Sequence, residues 1–245
     1  MSTATIAILA ALIFAAAVLY SAVGHAGSSA YLTVMALLGV PSEVMKPTAL
    51  TLNIFVAAIT TVKFYRAGYF CWTLFFPFAI ASIPCSFVGG YLTLPASFYN
   101  PIIGIALLVA AYKLFQTKND DIQHNQAMPR LAALVVGAAI GLLSGVTGIG
   151  GGIFLSPLLL LMRWADPHQA AGVSAAFILV NSSAGLLGHL SSVPRLPSYI
   201  VLWAPCAIAG GFIGAEYGGK VKREILQRLL ALLLVVAGLK LLLSR

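Results

Sequence analysis

Apolar stretches recur along this chain near 3–23, 28–40, 44–64, 72–93, 98–115, 131–147, 152–164, 168–190, 197–217 and 224–243, with short polar or glycine-rich breaks between them. A helix rises 1.5 Å per residue, so crossing roughly 30 Å of hydrocarbon takes about 17–25 apolar residues. Eight of the stretches reach that length. Residues 28–40 and 152–164 do not: each would extend roughly 20 Å as a helix. The pattern predicts an all-α polytopic membrane protein with eight long transmembrane helices plus two short ones, either half-helices that cross or re-entrant segments. A crossing pair and a re-entrant pair both return the chain to its starting side, so the pattern does not choose between them.

Each short stretch is the second of five, which points to a repeat. Ser21-Ala22-Val23 aligns with Ser144-Gly145-Val146, and Gly27 to Leu32 with Gly150 to Leu155. Pro41 pairs with Pro167, Thr48-Ala49 with Ser174-Ala175, "SFVGG" (86–90) with "GFIGA" (211–215) and "YKLF" (112–115) with "LKLL" (239–242). The expected organisation is a first membrane repeat over 1–115, a polar cytoplasmic loop over 116–130 and a second membrane repeat over 131–245. If all five segments cross, their odd number inverts the second repeat relative to the first.

Composition agrees with the pattern. The chain is 60% hydrophobic and 8% charged, against roughly 25% charged in soluble domains. The net charge of +8 does not indicate a nucleic-acid partner, because the cations lie between apolar segments. With residues 116–130 in the cytoplasm, Lys63, Arg66, Lys113, Lys118, Arg130, Arg163, Lys220, Lys222, Arg223 and Arg228 fall on or near that side. Lys46, Arg195, Lys240 and Arg245 fall outside. The positive-inside rule then places both termini on the outer side. The N-terminal stretch lacks a basic leader region and reads as a retained first helix. Cys71, Cys85 and Cys206 have no redox or metal-ligand spacing and read as small membrane-embedded side chains. Without a carboxylate pair, metal-ligand cluster or P-loop, the sequence points away from an enzyme, a resident cofactor or an ATP-driven pump.

The candidate chemistry lies in the two breaks, "GHAGSSAY" (24–31) and "TGIGGGIF" (147–154). A helix N-terminus carries free N–H groups and partial positive charge. In lipid those groups need a partner, and glycine lets both the chain turn and an anion approach. A glycine break before a short helix is therefore a candidate anion site, and secondary transporters use the device in matched places of two repeats. Close helix packing is the other reading of the same glycines. The candidate substrate-binding residues are Ser28, Ser29, Thr48, Asn53, Gly148, Gly150, Gly151, Gly152, Ser174 and Asn181. The two asparagines rank above the hydroxyls, because an amide has more polar valence to satisfy. Thr51, Ser182 and Ser183 are further polar positions, each with helix–helix hydrogen bonding as its alternative. His25 is a candidate proton relay or an interfacial histidine. Lys46 would attract anions or snorkel, Glu216 would cap or be solvated at the interface, His189 and Arg195 would face water, and His124 and His168 would lie in loops.

"GLLSGVTGIGGGIFLSPLLLL" (141–161) closely resembles the signature of the TauE/SafE family of sulfite-exporter-like permeases, and "AVGHAGSSAYLTVMALLGVPSEVMKPTALTLNIF" (22–55) resembles it more loosely. The resemblance covers nearly the whole chain. It implies a bacterial inner-membrane transporter of sulfite, sulfoacetate or other sulfur-containing anions or organic acids. It also implies roles for Gly148, Gly150, Gly151, Gly152 and the Ser156-Pro157 pair, with Ser28 and Ser29 as first-half counterparts. The first half departs from the glycine-rich form at His25, Ser28 and Ser29, so the half-sites are chemically unequal. The expected function is export of a small sulfur oxyanion by alternating access. The alternatives are another organic or sulfonated anion and a non-transporting scaffold. The lipid bilayer is the expected surrounding, and exposed glycine faces are compatible with a homodimer. With the native cysteines replaced, a cysteine at position 125 should react with an impermeant maleimide only from the cytoplasmic side, and one at position 2 only from outside.

Overall fold

The computed structural model describes residues 3–22, 24–116 and 128–217, together with 232, 235, 238, 239, 242 and 243. Lys118, His124, Lys220, Lys222, Arg223, Arg228, Lys240, Arg245 and most of the tenth expected segment lie outside the described residues. The described chain runs α1 (Thr3–Ser21), α2 (Ser28–Leu37), α3 (Ser42–Arg66), α4 (Trp72–Tyr91), α5 (Ala96–Gln116), α6 (Arg130–Thr147), α7 (Gly152–Leu161), α8 (Pro167–Ser192) and α9 (Ile200–Tyr217). It is an all-helical, multi-pass membrane protein. Among the described residues five helices are long and apolar enough to cross a bilayer: Ala4–Ser21, Ser42–Arg66, Trp72–Tyr91, Arg130–Thr147 and His168–Ser192.

The two stretches expected to be short are short, at ten residues each, or about 15 Å of helix. Both begin where the glycines predict, and both end about three residues early. α2 stops before Gly39 (φ +70°), and α7 before Arg163, the one described non-glycine residue in the left-handed region (φ +54°). α8 starts on a cap that sequence inspection passed over: Asp166 Oδ1 accepts from the His168 and Gln169 amides at 2.9 Å, with Pro167 following it.

Helix directions follow from pairwise contacts. α1 and α9 run parallel, with Phe14 against Gly210 and Val18 against Gly214. α4 and α6 also run parallel, pairing Phe78 with Gly137, Ser82 with Gly141 and Ser86 with Gly145. α3 and α8 are antiparallel, with Phe64 beside Gly172 and Leu50 beside Gly185. The Lys63–Glu216 ion pair joins the C-terminal ends of α3 and α9, so Glu216 is paired rather than merely solvated. At the opposite end, Ser42 Oγ donates to Asn100 Oδ1 at the start of α5, at 2.8 Å.

These contacts resolve the behaviour of the short helices. α1 finishes at the Lys63 end, and α2 carries the chain back to the Ser42 end, where α3 begins. α6 finishes at the Ser42 end, and α7 returns it to the Lys63 end, where His168 of α8 stacks on Tyr69 with ring centroids 4.6 Å apart. Each short helix therefore runs toward the end of the bundle opposite the one where the preceding helix finished, and the two point in opposite directions.

Glycine rows permit the closest approaches. A Cβ at Gly145 would collide with the Ser86 carbonyl, and one at Gly90 with the Gly185 carbonyl. Gly145→Val should therefore lower thermal stability in detergent by about 1–3 kcal/mol or abolish monodisperse protein. Leu143→Val, on the exposed face of the same helix, should change the melting temperature little.

Candidate functional site

The two glycine breaks meet inside the fold. Gly24 and Gly27 in the first, and Gly148, Gly150 and Gly151 in the second, all have φ between +81° and +97°, a region open to glycine at no steric cost. Ser28 Oγ, at the start of α2, donates to the carbonyl of Ile149 in the second break. The N-termini of α2 and α7 are thus tied together, and no side-chain hydrogen bond caps either one.

Tyrosines brace each break from behind. Tyr31 Oη donates to Ala26 O at 2.7 Å, and Tyr99 Oη of α5 donates to Thr147 O at 3.1 Å. Within the second break Thr147 Oγ1 accepts from the Ile149 amide at 3.3 Å. Neither phenol stood out in the sequence, where an isolated tyrosine in an apolar helix carries no positional signal.

The two central helices supply polar side chains to this junction. Asn53 of α3 donates from Nδ2 to Ser182 Oγ of α8 at 3.2 Å. A Cβ added at Gly150 would lie 2.6 Å from Asn53 Nδ2 and 3.0 Å from Ser182 Oγ, so this pair sits directly against the second break. Asn53 is 0% exposed, and its Oδ1 has no hydrogen-bond partner. Such an atom is uncommon in a folded protein.

The other expected residues divide. Gly152 packs on Ile178 and the Ser174 carbonyl, and Ser174 Oγ accepts from Ser156 Oγ at 2.7 Å. That pair adjoins the α7 N-terminus. Gly151 packs on Phe177 and Ile140. Ser29 turns away and bonds the Tyr20 hydroxyl at 2.8 Å. Asn181 holds Phe177 O through Nδ2 at 2.8 Å, while its Oδ1 and Thr48 Oγ1 are buried without partners. Gly148 rests on the Lys46 backbone rather than near Asn53. His25 is half-buried, its amide bonded to Tyr20 O at 2.9 Å. Its neighbour Gly24 touches Ala171 near the start of α8. Ser182, which ranked below the asparagines in the sequence, is the partner that positions Asn53. Serine in a membrane helix is too common to single out without its contact.

Lys46 neither snorkels nor faces the junction. It is 6% exposed, and its ammonium donates to Gly89 O, Gly90 O and Leu92 O at 3.2, 2.8 and 3.0 Å. It neutralises the carbonyl end of α4, where helix partial charge is negative. His189, expected in water, is also buried, at 7% exposed, in the last turn of α8. Arg195 is exposed as expected.

The family model for the sulfite exporter TauE/SafE matches residues 9–241. The chain belongs to the TauE/SafE family. A Sinorhizobium fredii protein named "Probable membrane transporter protein" is 41% identical over 239 residues, covering 96% of this chain and 97% of that one. A Bacillus subtilis protein of the same description is 23% identical over 225 residues, covering 82% and 81%. One from Methanocaldococcus jannaschii is 24% identical over 185 residues, covering 70% and 68%. No solved structure matches the chain significantly. As a TauE/SafE protein this chain is a membrane transporter.

Replacing Lys46 by Met leaves the α4 carbonyls unpaired. The variant should melt lower by the equivalent of about 1–3 kcal/mol, read by thermal unfolding in detergent.

Proposed function

We propose that this TauE/SafE protein is a secondary transporter that exports sulfite or a related small sulfur oxyanion from the bacterial cytoplasm by alternating access. The carrying observation is the junction of two opposed short helices whose N-termini are tied by Ser28 and Ile149 and capped by no side chain. Their N–H groups and positive partial charges suit an oxyanion, and Asn53 and Ser182 lie within reach of it. Among the other candidates, Gly150, Gly151 and Gly152 shape the approach, Ser174 supports α7, and Thr48 and Asn181 offer unpartnered polar atoms in the flanking helices.

Two inverted repeats, 1–115 and 131–245, are supported by reciprocal packing. α1 lies along α9 as α6 lies along α4, and α3 crosses α8 between them. Gly24 of the first break touches Ala171 near the start of α8, while Gly148 of the second touches Lys46 near the start of α3. Rocking of one repeat against the other would open the buried junction to each side in turn. Charge distribution favours the Lys63 end as cytoplasmic, with both termini periplasmic. The inside-negative potential then drives an anion outward, by about 2.3 kcal/mol per charge at 100 mV, so export needs no coupling ion.

Purified protein in liposomes should release sulfite when an inside-negative potential is imposed. Asn53→Leu, which keeps volume and removes the amide, should slow that flux roughly tenfold or more without lowering the melting temperature. Ser28→Leu combined with Gly151→Leu should abolish it while the protein still inserts. Full flux from well-folded variants would refute the site, and flux of a carboxylate instead of sulfite would redirect the substrate.

A further inference from the structure

We infer that the junction selects a singly charged oxyanion that keeps one O–H group, hydrogensulfite rather than sulfite, and rejects dianions such as sulfate; this rests on the transport reading above. Charge balance is the first observation. Each helix N-terminus contributes about half an elementary charge, so two opposed N-termini offset about one negative charge. Among the described residues Lys46 is the one buried Lys, Arg, Asp or Glu, and its ammonium is committed to three carbonyls at the end of α4. A dianion at the junction would retain uncompensated charge in a low-dielectric interior, where unpaired charge is strongly disfavoured.

The hydrogen inventory is the second observation and is independent of the first. Asn53 Nδ2 lies against Gly150 and donates one of its two hydrogens to Ser182 Oγ, while the fully buried Oδ1 of the same amide is an unpartnered acceptor. An amide oxygen only accepts hydrogen bonds. A fully deprotonated oxyanion also only accepts, so it could bond the second Nδ2 hydrogen or the Ser182 hydroxyl but would leave Oδ1 unpaired. An anion with one O–H donates that hydrogen to Asn53 Oδ1 while its remaining oxygens accept from the N–H groups of α2 and α7. One ligand then satisfies both the helix ends and the orphaned oxygen.

The test is competition against radiolabelled sulfite efflux from proteoliposomes of the full chain, at one fixed neutral pH so that protein titration is constant. The competitors are hydrogenselenite (monoanion with O–H), methanesulfonate (monoanion without O–H) and sulfate (dianion). Hydrogenselenite should compete, methanesulfonate should compete roughly tenfold more weakly, and sulfate should compete least. Ligand-induced melting shifts give the same ranking for variants too slow to assay. In Asn53→Leu the gap between hydrogenselenite and methanesulfonate should close, and in His25→Gln the ranking should persist. Sulfate competing as well as hydrogenselenite would overturn the charge argument, as would a ranking lost in His25→Gln. Equal competition by the two monoanions on the native protein would overturn the O–H argument. Efflux that none of the three slows, yet a carboxylate does, would overturn the inference and leave transport standing. No flux and no melting shift with any anion would overturn the transport reading and this inference with it.

Discussion

A backbone that breaks inside a membrane has to find partners for its free N–H and C=O groups, and that requirement organises this protein. Two helices start deep in the fold instead of at its edge. Their starting turns are joined by one hydrogen bond, from Ser28 Oγ to the Ile149 carbonyl, and braced by Tyr31 and Tyr99. The opposite polarity is handled differently. The carbonyl end of α4 is closed by a buried cation, Lys46, so it presents nothing to a ligand. Donor ends left uncapped and an acceptor end neutralised leave a bias toward negative charge in the middle of the molecule.

Packing serves that arrangement. The central antiparallel pair, α3 and α8, brings Asn53 and Ser182 to the second break. The parallel pairs, α1 with α9 and α4 with α6, flank it along rows of glycine. Backbone-to-backbone contact of this kind is how membrane helices associate without a hydrophobic driving force between them. It explains why glycine is abundant both in the helices and in the breaks, for two separate reasons. Gly145 and Gly90 are there because a Cβ would strike a carbonyl. Gly27, Gly148, Gly150 and Gly151 are there because the chain turns left-handed, and Gly150 also because Asn53 lies against it.

Much of this was legible in the residues. Helix starts at Ser28 and Gly152 followed from the glycine clusters, and the short lengths followed from the span a bilayer requires. Asn53 stood out because a buried amide is rarely without purpose. The rest depended on which helices meet, and the apolar pattern does not encode that. Ser182 resembles any other membrane serine until Asn53 is seen against it. Ser29 lies beside Ser28 but one helical position away turns it toward Tyr20. Lys46 read as an attractor of anions or a snorkelling chain because nothing in its neighbours reveals that α4 ends within its reach. His189 read as a water-facing residue because a polar turn follows it, although it lies within the stretch expected to be helical and α8 runs on to Ser192.

The most direct measurement is anomalous diffraction from crystals soaked in selenite, a heavier oxyanion of the same shape and charge behaviour as sulfite. A selenium peak between the first turns of α2 and α7, within hydrogen-bond reach of Asn53, is the predicted result. A peak at Lys46 or elsewhere, with the junction empty, would contradict the assignment of the broken helices as the anion site.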